Sequence, residues 1–203
     1  GMPGRPNDLD ITARLRQARE QGDSAQVAHA EFEAAQSLPS INVPNAIYKN
    51  HGGLDFEDMR EAWGFSHPVI SNGAAYADLN NDGQLDLVVN NLNSPSAIYR
   101  NTGADENGNY LQVSLEGDGA NTRGIGAKVL LYKNDELFYQ EQMPTRGFQS
   151  SVQQRLHFGL GAHQSVDSLL VIWPDGRHQT LTEVTANTHI TLEQLDAGGQ
   201  FDY

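Results

Sequence analysis

Cysteine is absent from the 203 residues, which excludes disulfides, zinc–thiolate sites and cysteine nucleophiles together. That absence fits any compartment. No run approaches the roughly 18 consecutive apolar residues of a membrane-spanning helix, so no transmembrane segment is expected. Basic residues are scarce: 13 Lys and Arg stand against 26 Asp and Glu, a formal charge of −13. Nucleic acid and anionic membrane both need clustered Lys and Arg to displace counterions, so neither is expected as a partner. No charged n-region and apolar h-region open the chain, so any secretory signal is expected to lie outside it. Gly1-Met2-Pro3-Gly4 reads as a cloning residue followed by a start and is set aside.

What is present is a globular composition, 38% hydrophobic with a modest 19% charged, enough to build a core in one domain or two small ones. The acidic excess is uneven. Residues 41–120 hold eleven acidic and three basic side chains, net −8, so the search for chemistry starts there.

Residues 8 to about 38 read as helix, with Ile11, Leu15 and Ala18 at helical spacing and Asp8 or Asp10 as N-cap. Gly22 interrupts; Asp23 and Gln26 then stand at capping-box spacing, and Pro39 stops the second run after Leu38. From Val43 the pattern changes to short strands and turns. Ala46-Ile47-Tyr48-Lys49-Asn50 recurs as Ala97-Ile98-Tyr99-Arg100-Asn101, an offset of 51 residues in the range of propeller blades and solenoid units. Strands are expected at Ala74–Ala77 and Leu85–Val89 between the copies. Seven more strand-like runs follow: Tyr110–Leu115, Ala127–Tyr132, Leu137–Gln142, Gln153–Phe158, Ser168–Trp173, Gln179–Leu181 and His189–Leu192. Pro174-Asp175-Gly176 is the clearest turn among them. The fold class expected is therefore mainly β: a propeller-blade-like antiparallel repeat at 43–107, a compact antiparallel sandwich or barrel at 108–195, a helical segment at 1–42 and a tail at 196–203.

One loop carries metal chemistry. In Asp78-Leu79-Asn80-Asn81-Asp82-Gly83-Gln84-Leu85-Asp86, oxygen-bearing side chains stand at positions 1, 3, 5 and 9, with Gly at 6 where the loop bends. Position 7, Gln84, offers its backbone carbonyl. Three carboxylates, an amide oxygen and a carbonyl suit Ca²⁺, whereas Mg²⁺ demands tighter octahedral geometry. This is not an EF-hand, because position 12 is Val89 and the flanks read as strands. The alternative is an Asx-rich turn, but three carboxylates within nine residues repel one another unless a cation sits between them.

Other motifs favour structure over chemistry. His157 with Ser150, Ser151 and Asp167 invites a catalytic triad, yet no Gly-x-Ser-x-Gly elbow exists. Histidines at zinc spacing are missing. Gly124-Ile125-Gly126 and Gly159-Leu160-Gly161 lack phosphate-binding spacing and read as tight turns and close packing. Trp173 before Pro174 reads as a core-edge aromatic in preference to a sugar platform.

Two stretches carry a family resemblance. Asn72-Gly73-Ala74-Ala75-Tyr76-Ala77-Asp78 through Val89, flanked by the two Ala-Ile-Tyr-basic-Asn copies, resembles an FG-GAP/VCBS propeller repeat with its integrin-type calcium loop. Asn121-Thr122-Arg123-Gly124-Ile125-Gly126-Ala127, Arg146-Gly147-Phe148-Gln149-Ser150, Leu156-His157-Phe158-Gly159-Leu160-Gly161 and Trp173-Pro174-Asp175-Gly176 resemble the ASPIC/UnbV domain of the cartilage acidic protein-like family. The order of repeat then domain is similar to the C-terminal end of large bacterial cell-surface or secreted proteins, and the resemblance runs from about Pro44 to Leu192. It implies a calcium role for Asp78, Asn80, Asp82, Gln84 (backbone) and Asp86. It also implies an extracellular, cell-surface or periplasmic setting and a protein or glycan ligand there. Several repeats are usual, so the single one here implies a truncated gene or a domain of a larger propeller protein. The resemblance brings no catalytic residues. The expected function is a non-enzymatic calcium-binding module for adhesion or ligand contact. The alternatives are a carbohydrate-binding accessory module of a polysaccharide-handling system and, behind it, a hydrolase or lyase.

Overall fold

The computed structural model describes residues 9–21, 24–37, 43–92, 94–103 and 108–202. Two helices open it, α1 (Leu9–Gln21) and α2 (Ser24–Ser37); Gly22, the expected interruption, lies outside the described residues. They join through an exposed Arg19–Glu31 ion pair at 2.8 Å, and Phe32 stays exposed, in keeping with their thin, alanine-rich apolar stripe. The expected caps at Asp8 and Asp23, the side chain of Asp10, and the stop at Leu38 and Pro39 lie outside the described residues.

Seven short strands follow: β1 (Val43–Pro44), β2 (Tyr48–Gly52), β3 (Asp55–Asp58), β4 (Pro68–Val69), β5 (Ser71–Ala77), β6 (Asp86–Asn91) and β7 (Ala97–Tyr99). β1 pairs with β4, β2 with β3, and β5-β6-β7 form a three-stranded sheet. The C-terminal part contains β8 (Asn109–Glu116), β9 (Lys128–Lys133), β10 (Glu136–Glu141), β11 (Arg155–Gly161), β12 (Ser165–Ile172), β13 (Arg177–Thr185) and β14 (Thr188–Glu193), then a short 3₁₀ turn, Gln194–Asp196, and β15 (Gly198–Gln200). The chain divides into two compact units: one takes residues up to Gly73 together with Val89–Ala97, and the other Ala74–Val88 with everything from Ile98 onward.

The second unit carries the core. A five-stranded sheet in the order β10-β9-β12-β13-β15 faces a three-stranded sheet in the order β11-β8-β14. Period-two alternation explains which residues enter: Leu111, Val113 and Leu115 from β8, Leu156, Phe158 and Leu160 from β11, Val129 and Leu131 from β9, and Leu169 and Val171 from β12. The architecture is thus mainly β, as the strand grammar indicates, and of the sandwich and barrel left open by the sequence the described strands form no closed barrel. One pairing departs from the antiparallel expectation, since β14 runs parallel to β8 with Ile190 opposite Val113. Gly198–Gln200, expected in the tail, pairs with β13.

Turn chemistry fixes the corners. Gly176 N–H donates to Trp173 C=O at 2.9 Å, and Arg177 N–H to the Asp175 carboxylate at 3.0 Å, closing the β12–β13 hairpin. In Asn121–Ala127 the Asn121 side chain bonds both the N–H and the C=O of Ile125 at 2.9 Å. Gly124 sits there at φ +59°, where a Cβ would lie 2.9 Å from the Trp173 ring. A side chain would therefore meet both backbone strain and a buried indole. Trp173 itself is 1% exposed, which settles it as a core residue and removes it as a sugar platform.

Candidate functional site

The loop between β5 and β6 sits within the second unit and lies against the outer, non-core face of β8. Gly83 shows why the fit needs glycine: it is buried at φ +85°, and a Cβ would stand 2.0 Å from Tyr110 of β8. Asp78 and Asp86 mark the two ends of the loop and are nearly sealed, at 6% and 3% exposure. Asn80, Asn81 and Asp82 form its exposed rim.

Asp78 and Asp86 are held by neutral donors, and Asp82 by neutral donors with one arginine beside it. Asp78 accepts the N–H of Asp82 at 3.1 Å and of Gly83 at 3.0 Å. A third bond comes from the Gln112 side-chain amide, 2.9 Å from Asp78 Oδ2. Asp86 accepts the Leu79 N–H at 3.2 Å and the Asn101 N–H at 2.8 Å, so the second Ala-Ile-Tyr-basic-Asn copy closes the loop. Asp82 accepts the Asn80 amide at 2.7 Å and the Gln84 N–H at 2.9 Å, with Arg100 at 3.7 Å. The Asn80 amide first, then the Gln84 N–H, hold the Asp82 carboxyl below its ordinary range. As placed, no three His, Asp or Glu side chains among the described residues converge closely enough to grip an ion. The donor set is nonetheless all oxygen: the side chains of Asp78, Asn80, Asp82 and Asp86, with the Gln84 carbonyl.

Sequence reasoning missed the other half of this arrangement. Gln112 points away from the core, where alternation predicts a solvent-facing polar residue, yet it is only 4% exposed. Its amide donates to Asp78 while its carbonyl accepts Arg155 Nη1 at 2.9 Å. His157 lies alongside, 3.3 Å from Gln112 and stacked on Tyr110 with ring centroids 5.6 Å apart at 10°. Burial pushes the His157 imidazole below its ordinary pKa; the Asp78 charge opposes that shift and Arg155 adds to it. A polar cluster of Gln112, Arg155 and His157 therefore latches the loop to the sheet. The only available signal was negative: strand positions whose polar side chains lacked any other assignment.

The structure does not assemble a triad around His157. Asp167 is engaged by Lys133 and the Asn134 N–H, both at 2.8 Å. Ser150 donates to Phe148 C=O at 2.8 Å, and the His157 ring meets the Gln112 amide and the Tyr110 ring.

Comparison with known proteins finds similarity over part of the chain and to two curated relatives. Residues 117–199 match the ASPIC and UnbV family model. That stretch includes the Asn121–Ala127 turn, the β11 glycines and the Trp173–Gly176 corner. The chain as a whole is similar to cartilage acidic protein 1 of Mus musculus and of Homo sapiens, 27% identical to each over 166 residues. The alignment takes in 80% of this chain but 25% of each relative, so the chain spans about a quarter of the length of the curated relatives it matches. Beyond the ASPIC/UnbV match, no helix among the described residues is long and apolar enough to cross a membrane.

Proposed function

We propose that this chain is a non-catalytic, calcium-stabilised extracellular interaction module in which an FG-GAP-like loop is docked on an ASPIC/UnbV-like β sandwich. One observation carries the reading. Asp78 and Asp86 are buried carboxylates whose hydrogen-bond partners are all uncharged. Burying a charge is expensive unless an opposite charge or a metal compensates it. A hard cation held by Asp78, Asn80, Asp82, Asp86 and the Gln84 carbonyl would supply that compensation.

The chemistry supplied is neutralisation, not catalysis. The ion would hold the β5–β6 hairpin, and the Gln112 latch would carry that order to the sheet below. Similarity to cartilage acidic protein 1 supports an extracellular setting, where calcium is abundant enough for weak sites to fill. The test is a thermal melt in calcium and in excess chelator. The midpoint is expected to rise with free Ca²⁺ and the rise to disappear in Asp82→Ala. A melt that does not move in the unaltered chain refutes the calcium assignment.

A further inference from the structure

A groove of about 360 Å³ opens beside the loop, within the second unit. Its size falls in the range of small-molecule sites, about 300–1,000 Å³. Its walls are braced. The Gln140 amide donates to His157 C=O, joining β10 to β11, and the Gln142 amide donates to Gln154 C=O at 3.0 Å. The turn that follows β10 is closed by the Arg146 N–H to Ser150 C=O bond at 2.9 Å, and the Arg146 guanidinium is anchored on the carbonyls of Met143 and Thr145. A site assembled this way is set before any ligand arrives.

Three features of the lining identify a ligand chemistry. First, two half-exposed tyrosines flank the opening, Tyr76 from β5 and Tyr139 from β10; flat rings offer the apolar face of a sugar ring a surface while their hydroxyls remain wet. Second, the charge is inverted relative to the rest of the molecule. In a chain of −13, Arg146 and Arg155 line this groove against Glu141 alone among the acidic residues. Third, Arg155 lines the groove with N–H groups to spare. Arg155 gives one N–H to Gln112, and a guanidinium carries five, in a planar fork that suits a carboxylate.

We infer that this groove is a binding site for an acidic saccharide, with Tyr139 and Tyr76 against the sugar ring and Arg155 and Arg146 donating to its carboxylate and ring-substituent oxygens. The inference rests on the non-catalytic binding-module reading and names its ligand class. It does not require calcium.

Isothermal titration with methyl glucuronide, neutral methyl glucoside, acetate and triglutamate tests it, in excess chelator and again with Ca²⁺. The glucuronide is expected to bind at least about tenfold more tightly than each of the other three. Tyr139→Ala is expected to weaken that binding about tenfold without moving the melting midpoint, since the ring is 52% exposed. Arg155→Lys should also weaken the binding while keeping a charge; if it fails to fold, Tyr139→Ala decides alone. Absent glucuronide binding overturns the proposal. So does equal binding of glucoside or acetate, tighter binding of triglutamate, or indifference to Tyr139→Ala. Glucuronide binding that persists while the melt ignores Ca²⁺ upholds the groove and removes only the calcium assignment. Loss of both removes the binding-module reading.

Discussion

Gln112→Ala is the sharpest perturbation the structure offers, because one neutral side chain holds an anion and a cation in place. Two bonds of 2.9 Å are lost, one to Asp78 and one from Arg155. Hydrogen bonds to charged groups contribute roughly 1.5–3 kcal/mol each. The two losses do not weigh equally. Asp78 is nearly sealed, so it keeps the full effect, whereas Arg155 is partly exposed and water restores much of its share. The net expectation is about 2–4 kcal/mol, which for a chain of this size is a midpoint drop on the order of 5–15 °C. Urea denaturation monitored by circular dichroism gives the free energy, and hydrogen exchange locates it. Protection of residues 78–86 should fall first, while the Leu111–Leu169 core, which Gln112 does not touch, keeps its slow amides. A double-mutant cycle with Asp78→Asn isolates the pair and should return a coupling of about 1 kcal/mol or more. Destabilisation below about 1 kcal/mol together with negligible coupling would show that the amide is a bystander.

Further expectations follow from the same site. At a hundredfold excess over its dissociation constant, calcium should add about 2.7 kcal/mol to the stability of the unaltered chain, read as a higher denaturation midpoint that chelator reverses. Gly83→Ala combines a left-handed backbone with a 2.0 Å approach to Tyr110 and should cost about 2–4 kcal/mol; pairing it with Tyr110→Ala should recover part of the loss, and additive losses would disprove the steric account. Because burial lowers the His157 pKa from an unfolded value of 6.5, the unfolded chain takes up the proton first on acidification. Its contribution is thus present above pH 6.5 and is lost as pH falls toward the folded pKa. Stability measured from pH 7 downward should decline less steeply in His157→Gln than in the unaltered chain.

Much of this architecture is legible in the residues. Alternation at Leu111, Val113 and Leu115 and the Pro174-Asp175-Gly176 corner announce strands and a hairpin, and the structure has them. The strand expected at Gln179–Leu181 extends to Arg177–Thr185 because an edge-facing run of Thr and His carries little apolar pattern. β11 continues through Gly159 and Gly161, which read as tight turns and close packing and here accompany a register irregularity. The loop announces itself by its Asp, Asn and Gly spacing. Its docking partner does not, for a physical reason: Gln112, Arg155 and His157 occupy the outward positions of strands, where polar residues are ordinary. Only tertiary packing makes those three special. The parallel β8–β14 pairing is silent for a related reason, since strand direction leaves no mark on a period of two.

The choice of an amide at position 112 has a consequence for the electrostatics of the loop. Arg155 and Asp78 both touch this side chain, one at the oxygen and the other at the nitrogen of its amide, so glutamine works as an insulator between them. A guanidinium placed directly on Asp78 would cancel its charge and satisfy its oxygens in one contact. With an amide interposed, the carboxylate is oriented without a cation paired directly to it, and the arginine spends one N–H on Gln112 out of the five its fork carries. Two oppositely charged groups thus share one scaffold atom chain without discharging each other, and each remains able to receive a counterion or ligand of its own.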